Sequence, residues 1–260
     1  CTRVVRLAAG SRHVVQMEAP TASEQNSAVM VLFCGDAPLA TSSGSSSGSG
    51  NPYPHKEEVT LSLLAQLIRE PAFTTLRTRG QLGYIVSAFE MALGGGRGGT
   101  VGCIGLKVLS KTHAPAAVET KALDFLATFS DRYLQLKEEE TAAEEGGEGT
   151  EKGAAEGTND DDDDDDDADA GVVGITAGEF AKAKAALSAK LLQPPKRLAN
   201  ESAQWWGEVQ FGDEQWGRYE HLAEALESVS LGDVRDLYRR LVLDPATRRH
   251  FSAHVHCRKH

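Results

Sequence analysis

The segment from Arg69 to Val86 constrains the fold more than any other part of the chain, because it joins a helix end, a cationic turn and the start of a strand. Pro71 lacks a backbone donor, so we expect it to end the preceding helix. Gly83 allows the backbone to bend, or to be approached closely, before a β-prone run that begins at Tyr84. A helix must therefore pass into a strand through one short turn.

Arg77 and Tyr84 flank this turn and are the candidate functional side chains. A guanidinium and a phenol both donate hydrogen bonds to peptide carbonyls, and a phenol also stabilises an oxygen that becomes negative during attack on an amide. From the residues alone, structural roles are favoured. Arg77 would be a cation at a helix C-terminus, and Tyr84 a half-buried strand aromatic.

Hydrophobic periodicity predicts an α+β fold, an antiparallel-rich sheet with helices packed on one face. The predicted strands are Val4–Met17, Ser27–Cys34, Tyr84–Met91, Thr100–Leu109 and Phe251–Cys257. The predicted helices are His55–Glu70, Ala114–Leu136, Glu179–Leu192, Leu198–Val209, Tyr219–Glu227 and Ser230–Val242. Thr176 with Glu179 predicts a capping box, and Ser230 predicts a second N-cap.

Two low-complexity stretches interrupt the pattern. Residues 41–51 are nearly all Ser and Gly, which predicts a flexible insert, and residues 138–170 form an acidic insert that we expect to be disordered. The acidic insert holds 17 acidic residues and one lysine, so the net charge of −11 leaves about +5 for the remainder. We expect a single lobe over residues 1–260 that carries two solvated loops.

Nucleic acid and membranes are not expected as partners. The mildly basic remainder has no basic stripe with interleaved aromatic residues. No apolar run approaches the roughly 20 residues that a membrane span needs. Cys1, Cys34, Cys103 and Cys257 are widely spaced in apolar runs, which predicts buried thiols in a reducing compartment. We therefore expect a cytoplasmic protein, and import into mitochondria or plastids stays open because the sequence begins at Cys1.

Metal-ligating patterns are incomplete. A zinc peptidase helix of the His-x-x-Glu-His type is absent, and the nearest match, His221-Leu-Ala-Glu-Ala225, has alanine in place of the second imidazole. His254 and His256 would share one face of the last strand, but two ligands are too few, and an edge strand with outward polar residues explains them better. We predict no metal site in this chain.

Four motifs together carry a family resemblance: Leu76-Arg-Thr-Arg-Gly-Gln-Leu-Gly-Tyr84, Pro195-Lys-Arg-Leu198, Trp205-Trp-Gly-Glu208 and Asp244-Pro-Ala-Thr-Arg-Arg-His250. The chain from about residue 21 to its end resembles the last of four homologous lobes in the inverzincin (M16) metallopeptidases of the insulin-degrading-enzyme type. The resemblance implies that Arg77 and Tyr84 reach toward a zinc site in the N-terminal half and hold the substrate backbone at the scissile bond.

The resemblance also implies a function. The chain would be the zinc-free C-terminal lobe of a zinc metalloendopeptidase, with no catalytic residue of its own and no activity alone. It would close a chamber around unfolded peptide substrates, its partner being an N-terminal catalytic half that holds the zinc. Two alternatives remain: a catalytically dead M16-fold module that binds basic partners through the acidic insert, and a lobe that complements a separately encoded catalytic half.

Trp205 and Trp206 allow two interpretations. Packing within the lobe is the first, because large aromatic residues usually contribute to a core. A role at an interface between lobes is the alternative.

Overall fold

The computed structural model describes residues 7–21, 23–36, 55–94, 100–137, 174–211 and 215–257. Both predicted inserts and Cys1 lie outside these ranges, so their predicted character stays a prediction. The division of the chain into one lobe with two loops is likewise an expectation.

A five-stranded sheet forms the centre of the fold. Its strands are β1 (Arg12–Glu18), β2 (Ser27–Cys34), β3 (Ile85–Gly94), β4 (Thr100–Ser110) and β7 (His250–His256). Their spatial order is β1-β7-β2-β4-β3, and only the β1–β7 pair is parallel. A second sheet pairs two short strands, β5 (Leu136–Lys137) and β6 (Ile175–Thr176). The predicted α+β class with an antiparallel-rich sheet is confirmed.

The described ranges contain six α-helices: α1 (Lys56–Ala72), α2 (Pro115–Tyr133), α3 (Ala177–Leu191), α4 (Leu198–Phe211), α5 (Arg218–Glu227) and α6 (Leu231–Tyr238). Two π-helical segments extend α1 and α6, at Phe73–Arg79 and Arg239–Leu243. Both predicted N-caps are confirmed. The side chains of Thr176 and Ser230 each accept a hydrogen bond from the backbone N–H of the third residue of the helix that follows. The carboxylate of that residue, Glu179 or Asp233, accepts the backbone N–H of the cap residue in turn.

The core lies between one face of the sheet and the helices. Alternate residues of β2 and β4 point into it, and all are at most 3% exposed: Val29, Val31, Phe33, Ile104 and Val108. From α1 and α2 come the buried Leu63, Leu64, Ile68 and Phe129. Within each helix the core residues recur every three or four positions, so they share the one face that packs on the sheet.

The prediction that Pro71 ends its helix is wrong. The helix α1 continues through Pro71 to Ala72 and then passes into the π-helical segment. Proline removes one helical hydrogen bond, but Ala72 and Leu76 on either side of the next turn are at most 3% exposed. Their burial in the core holds helical backbone beyond the proline, which local propensity alone would not do.

The predicted helix Ala114–Leu136 is three residues too long at its C-terminus. The helix α2 ends at Tyr133, and Leu136 instead enters the short β5–β6 sheet. The Ile175 N–H donates to the Gln135 carbonyl at 2.7 Å, so the chain returns beside the point where it left. The end of α2 is therefore decided by pairing with β6, which is distant in sequence. Helical periodicity reports only on neighbours along the chain and cannot predict it.

The last strand is not the edge strand that the sequence suggested. β7 lies between β1 and β2, and its inward residues form a polar cluster with Glu119 of α2. Ser252 donates to Glu119 Oε1 at 2.6 Å and lies 2.8 Å from His250 Nε2. Arg12 donates to both oxygens of the same carboxylate at 2.9 Å. His254 Nε2 lies 3.0 Å from Glu119 Oε2 without the alignment of a hydrogen bond.

This cluster predicts loss of stability in acid. Burial lowers the pKa of His250 from 6.5 to about 4, although Glu119 opposes the shift. The unfolded chain therefore binds the extra proton first, and the stability from neutral His250 is complete above pH 6.5 and lost as the pH falls toward 4. Burial raises the pKa of Glu119, but the hydrogen bonds from Ser252 and Arg12 lower it by more, so its pKa in the folded protein is below the ordinary value. The stability that the ionised carboxylate contributes is therefore also lost in acid.

We expect the free energy of unfolding to fall by about 2 kcal/mol through His250 alone between pH 7 and pH 5. The measurement is urea denaturation at both pH values for the wild type and His250→Gln, which removes the titration. The exposed His13 gives a control, since His13→Gln should keep the wild-type dependence. Equal pH dependence in the wild type and His250→Gln would contradict this account.

Candidate functional site

The turn between α1 and β3 is fixed by its backbone. The π-helical segment ends where the Gly80 N–H donates to the Thr75 carbonyl at 2.9 Å. The Leu82 N–H then donates to the Leu76 carbonyl at 3.0 Å, while the Leu82 side chain is 1% exposed. Gln81 between them has a φ of 42°, in the left-handed region that non-glycine residues rarely occupy. The turn is therefore held by hydrogen bonds on one side and by a core side chain on the other.

Gly83 is required by a close approach between this turn and β4. A Cβ atom at Gly83 would lie 2.1 Å from the Leu109 carbonyl oxygen, well inside contact distance. The same oxygen accepts the Tyr84 N–H at 3.1 Å. The expectation that glycine here allows a close backbone approach is confirmed, and this contact places Tyr84 directly before the first residue of β3.

Arg77 lies in the last turn of the π-helical segment, exposed to solvent. Its guanidinium carbon lies 4.8 Å from the centroid of the Phe73 ring, which gives a cation–π contact and restricts the side chain. Because a guanidinium stacked on its face still presents N–H donors at its edge, Arg77 keeps donors for a partner.

Tyr84 lies at the other end of the turn, and its side chain is 46% exposed. Within the described part of the chain, neither Tyr84 nor Arg77 uses its side chain in a hydrogen bond or an ion pair. The structure thus presents both predicted site residues on one pinned turn, with their polar groups accessible. Sequence reasoning did not find the features that hold them there, namely Leu82, the left-handed Gln81 and the Leu109 carbonyl.

A row of apolar residues crosses the open face of the sheet, which is the face opposite the helices, and ends beside the turn that carries Arg77 and Tyr84. Its members are neighbours across all five strands: Met17, Val255, Ala28, Leu109 and Ile85. All of them point away from the helix-covered core, because they alternate with inward residues along their strands. Met17 at one end is 48% exposed, and Ile85, next to Tyr84, is 39% exposed. This open-face row was not found in the sequence, since each member belongs to a different strand.

The interpretation of Trp205 and Trp206 as packing within the lobe is wrong. On α4 they are 39% and 64% exposed, and Trp216 nearby is 54% exposed with its ring centroid 6.0 Å from that of Trp205. Other apolar residues of this surface are Leu198 and Val209, at 79% and 53% exposure. We call these five residues the tryptophan surface.

A buried ion cluster fixes α4 to the body of the lobe. Arg218 donates to Glu208 Oε1 of α4 at 2.5 Å and to Glu58 Oε1 of α1 at 2.8 Å. Glu208 also accepts the Gln215 N–H at 3.0 Å, and its whole residue is 8% exposed. Desolvation lowers the pKa of Arg218, but the two carboxylates raise it further. The exposed tryptophans are therefore carried on a helix with a defined position.

No group of three or more His, Cys, Asp or Glu side chains in the described ranges could hold a metal ion. His221, from the incomplete zinc pattern, instead stacks on His55 with ring centroids 5.5 Å apart. Around His221, the side chains that the structure describes do not fit a zinc site. Among the helices that the structure describes, none is both long and apolar enough to cross a membrane.

Comparison with known proteins identifies relatives. Residues 63–156 match the family model described as the PQQ synthase PqqF-like C-terminal lobe, domain 4. The insulin-degrading enzyme of Homo sapiens is 28% identical over 205 residues, covering 78% of this chain and 16% of that protein. The insulin-degrading enzyme of Drosophila melanogaster is 26% identical over 198 residues, with 76% and 16% covered. The chain thus spans about a sixth of the length of these relatives.

The fold agrees with the sequence matches. The crystal structure of pitrilysin superimposes on 98% of this chain and 21% of its own, with a TM-score of 0.64 at 17% identity. The family model describes a C-terminal lobe, the curated relatives are insulin-degrading enzymes and the fold is that of pitrilysin, so the chain is similar in sequence and fold to the C-terminal lobes of M16 peptidases.

Proposed function

We propose that this chain is the zinc-free C-terminal lobe of an M16 metalloendopeptidase and that Arg77 and Tyr84 orient the substrate backbone at the scissile bond. One observation carries the proposal. Both side chains are accessible on a turn that the Leu82 and Gly83 contacts hold in place, and a transition-state contact needs such preorganised donors. Arg77 would hold a peptide carbonyl, and Tyr84 would donate to the oxygen that becomes negative as the amide is attacked.

The open-face row supports unfolded peptides as the substrate class. Its members span the sheet and end at Ile85, beside Tyr84. An extended peptide can place apolar side chains on such a surface while its backbone reaches the turn, whereas a folded protein keeps these side chains buried. In the complete enzyme, this face would line the chamber that the lobe helps to close.

The proposed partner is an N-terminal M16 half, which would supply the zinc site and the hydrolytic chemistry. Two observations support a large partner: the match to the human relative covers only 16% of that protein, and the tryptophan surface is exposed. Tryptophan is enriched at the centres of interfaces, where water is excluded. We propose that the tryptophan surface contacts the remainder of such an enzyme.

Mixing tests the function directly. This chain and a separately produced N-terminal M16 half with His-x-x-Glu-His are assayed alone and together on a short fluorogenic peptide. We expect cleavage only in the mixture, abolished by a chelator and restored by zinc. Peptide cleavage by this chain alone, with stoichiometric bound zinc, would contradict the proposal.

Replacing Trp206 tests the partner surface. If Trp206 is buried in the assembly, Trp206→Ala should raise the Kd of the two halves about thirtyfold, for a loss of about 2 kcal/mol of binding free energy. Isothermal titration calorimetry gives the Kd. Leu136, at 61% exposure against 64% for Trp206, is a matched apolar control. Wild-type affinity in Trp206→Ala would show that the surface does not face this partner.

A further inference from the structure

Two cysteines face each other across β2 and β4. Cys34 and Cys103 are register partners in this antiparallel pair. The Gly35 N–H donates to the Gly102 carbonyl at 2.9 Å, and the Cys34 N–H points the other way, to the Arg249 carbonyl at 3.0 Å. Cys34 and Cys103 therefore form a non-hydrogen-bonded pair, the type in which opposite Cα atoms are about 4.5 Å apart. That separation falls within the range that a disulfide spans.

The two thiols lie opposite each other and differ in environment. The side-chain interaction between them lowers the pKa of Cys34 and raises that of Cys103. Arg249 adds a positive charge near Cys34, and its guanidinium is held by the Leu7 and Thr247 carbonyls. Cys34 is partly exposed on the open face of the sheet, whereas Cys103 is 0% exposed. The accessible sulfur is thus the one with the lowered pKa, and the second sulfur lies opposite it on the neighbouring strand.

We propose that Cys34 and Cys103 form a reversible redox site, in which Cys34 is the attacking thiolate and Cys103 the resolving thiol. The oxidant is a peroxide. The Cys34 sulfur attacks a peroxide oxygen, the O–O bond breaks, and the leaving oxygen takes a proton to give Cys34 sulfenic acid. The Cys103 sulfur then attacks the Cys34 sulfur, the S–S bond forms, and water leaves as the S–O bond breaks. Overall the thiol pair loses two electrons and two protons, and hydrogen peroxide becomes two waters.

The disulfide would join β2 to β4, and β4 also carries β3. Cys103 faces Met91 of β3 on its other side, and β3 begins at Ile85, directly after Tyr84. The covalent bond would therefore fix the strand on which the candidate turn rests. The oxidation state of this pair is independent of the proposed peptidase role, because the chemistry needs only the two sulfurs and a peroxide.

Mass spectrometry of the folded chain after brief hydrogen peroxide treatment tests the site. We expect the intact mass to fall by about 2 Da, one disulfide-linked peptide pair to contain Cys34 and Cys103, and dithiothreitol to restore the starting mass. Cys34→Ser and Cys103→Ser should both abolish this change. Cys257→Ser and Cys1→Ser should both retain it. No mass loss, or a disulfide that links another pair, would overturn the proposal.

A trapping experiment assigns the order of attack and guards against misfolded variants. In Cys103→Ser the sulfenic acid has no resolving thiol, so a dimedone adduct should accumulate on Cys34. In Cys34→Ser no adduct should form on Cys103, because that sulfur is buried. Far-UV circular dichroism confirms that each variant is folded before treatment. A dimedone adduct on Cys103 in folded Cys34→Ser would overturn the assigned roles.

Discussion

Tyr84→Phe should lower the kcat of the assembled peptidase on the order of a hundredfold or more while leaving the fold intact. The phenol is proposed to donate to the oxygen that becomes negative during amide attack. Removing one such donor typically costs about 2.7 to 4 kcal/mol of transition-state stabilisation. Stability should not change, because the side chain is 46% exposed and its hydroxyl has no partner in the described structure.

The experiment compares kcat and KM for the mixture of this chain with an N-terminal catalytic half. If Tyr84 acts mainly in the transition state, kcat and kcat/KM fall together and KM changes little. Tyr219 is a matched control, since it is a 36% exposed tyrosine on α5 and Tyr219→Phe should keep wild-type kcat. Wild-type turnover by Tyr84→Phe would remove this residue from the mechanism.

Gly83→Ala should be the most damaging single-methyl change in the turn. The new Cβ would lie 2.1 Å from the Leu109 carbonyl oxygen and 3.2 Å from Val108 Cγ1. A carbonyl within a sheet cannot move aside as a flexible side chain can, so the turn must shift and the Tyr84 N–H bond to Leu109 must lengthen. We expect a loss of about 3 kcal/mol in the free energy of unfolding, at the upper end of the usual cost of overpacking.

The same shift should displace Tyr84, so peptidase activity of the mixture should fall at least as far as with Tyr84→Phe. Urea denaturation measures the stability, and peptide cleavage below the unfolding midpoint measures the activity. Gly207 in α4 provides the control, because a Cβ there meets nothing within 4 Å. Gly207→Ala should stabilise the protein by about 0.5 to 1 kcal/mol through lower backbone entropy of the unfolded chain. Equal stability of Gly83→Ala and the wild type would show that the turn is not tightly held.

Local signals in the sequence located most of the regular structure. The capping boxes at Thr176 and Ser230 were visible because their hydrogen bonds join residues three apart. The helices and strands were found because each buries one face and carries the matching period. Where a boundary depended on distant contacts, the prediction failed. Pro71 did not end its helix because core packing of Ala72 and Leu76 outweighs one lost hydrogen bond.

The sequence predicted the side chains of the candidate site but not the contacts that hold them in place. Arg77 and Tyr84 stand out in the motif, and Gly83 was expected to allow a close approach. The partner in that approach, the Leu109 carbonyl, lies on β4 and could not be named. Neither could the open-face row or the Cys34–Cys103 pair, because register between strands decides which residues become neighbours.

The sequence by itself determined the α+β class, the order of the six α-helices and five long strands, the motif that carries Arg77 and Tyr84, and the resemblance to an M16 lobe. These depend on short-range periodicity and on residue types that are read along the chain. Only the tertiary structure decided that β7 is an inner strand, that the tryptophans are exposed, and that Gly83 meets a carbonyl. Each of these depends on the pairing of segments far apart in sequence, where burial and strand register outweigh local preference.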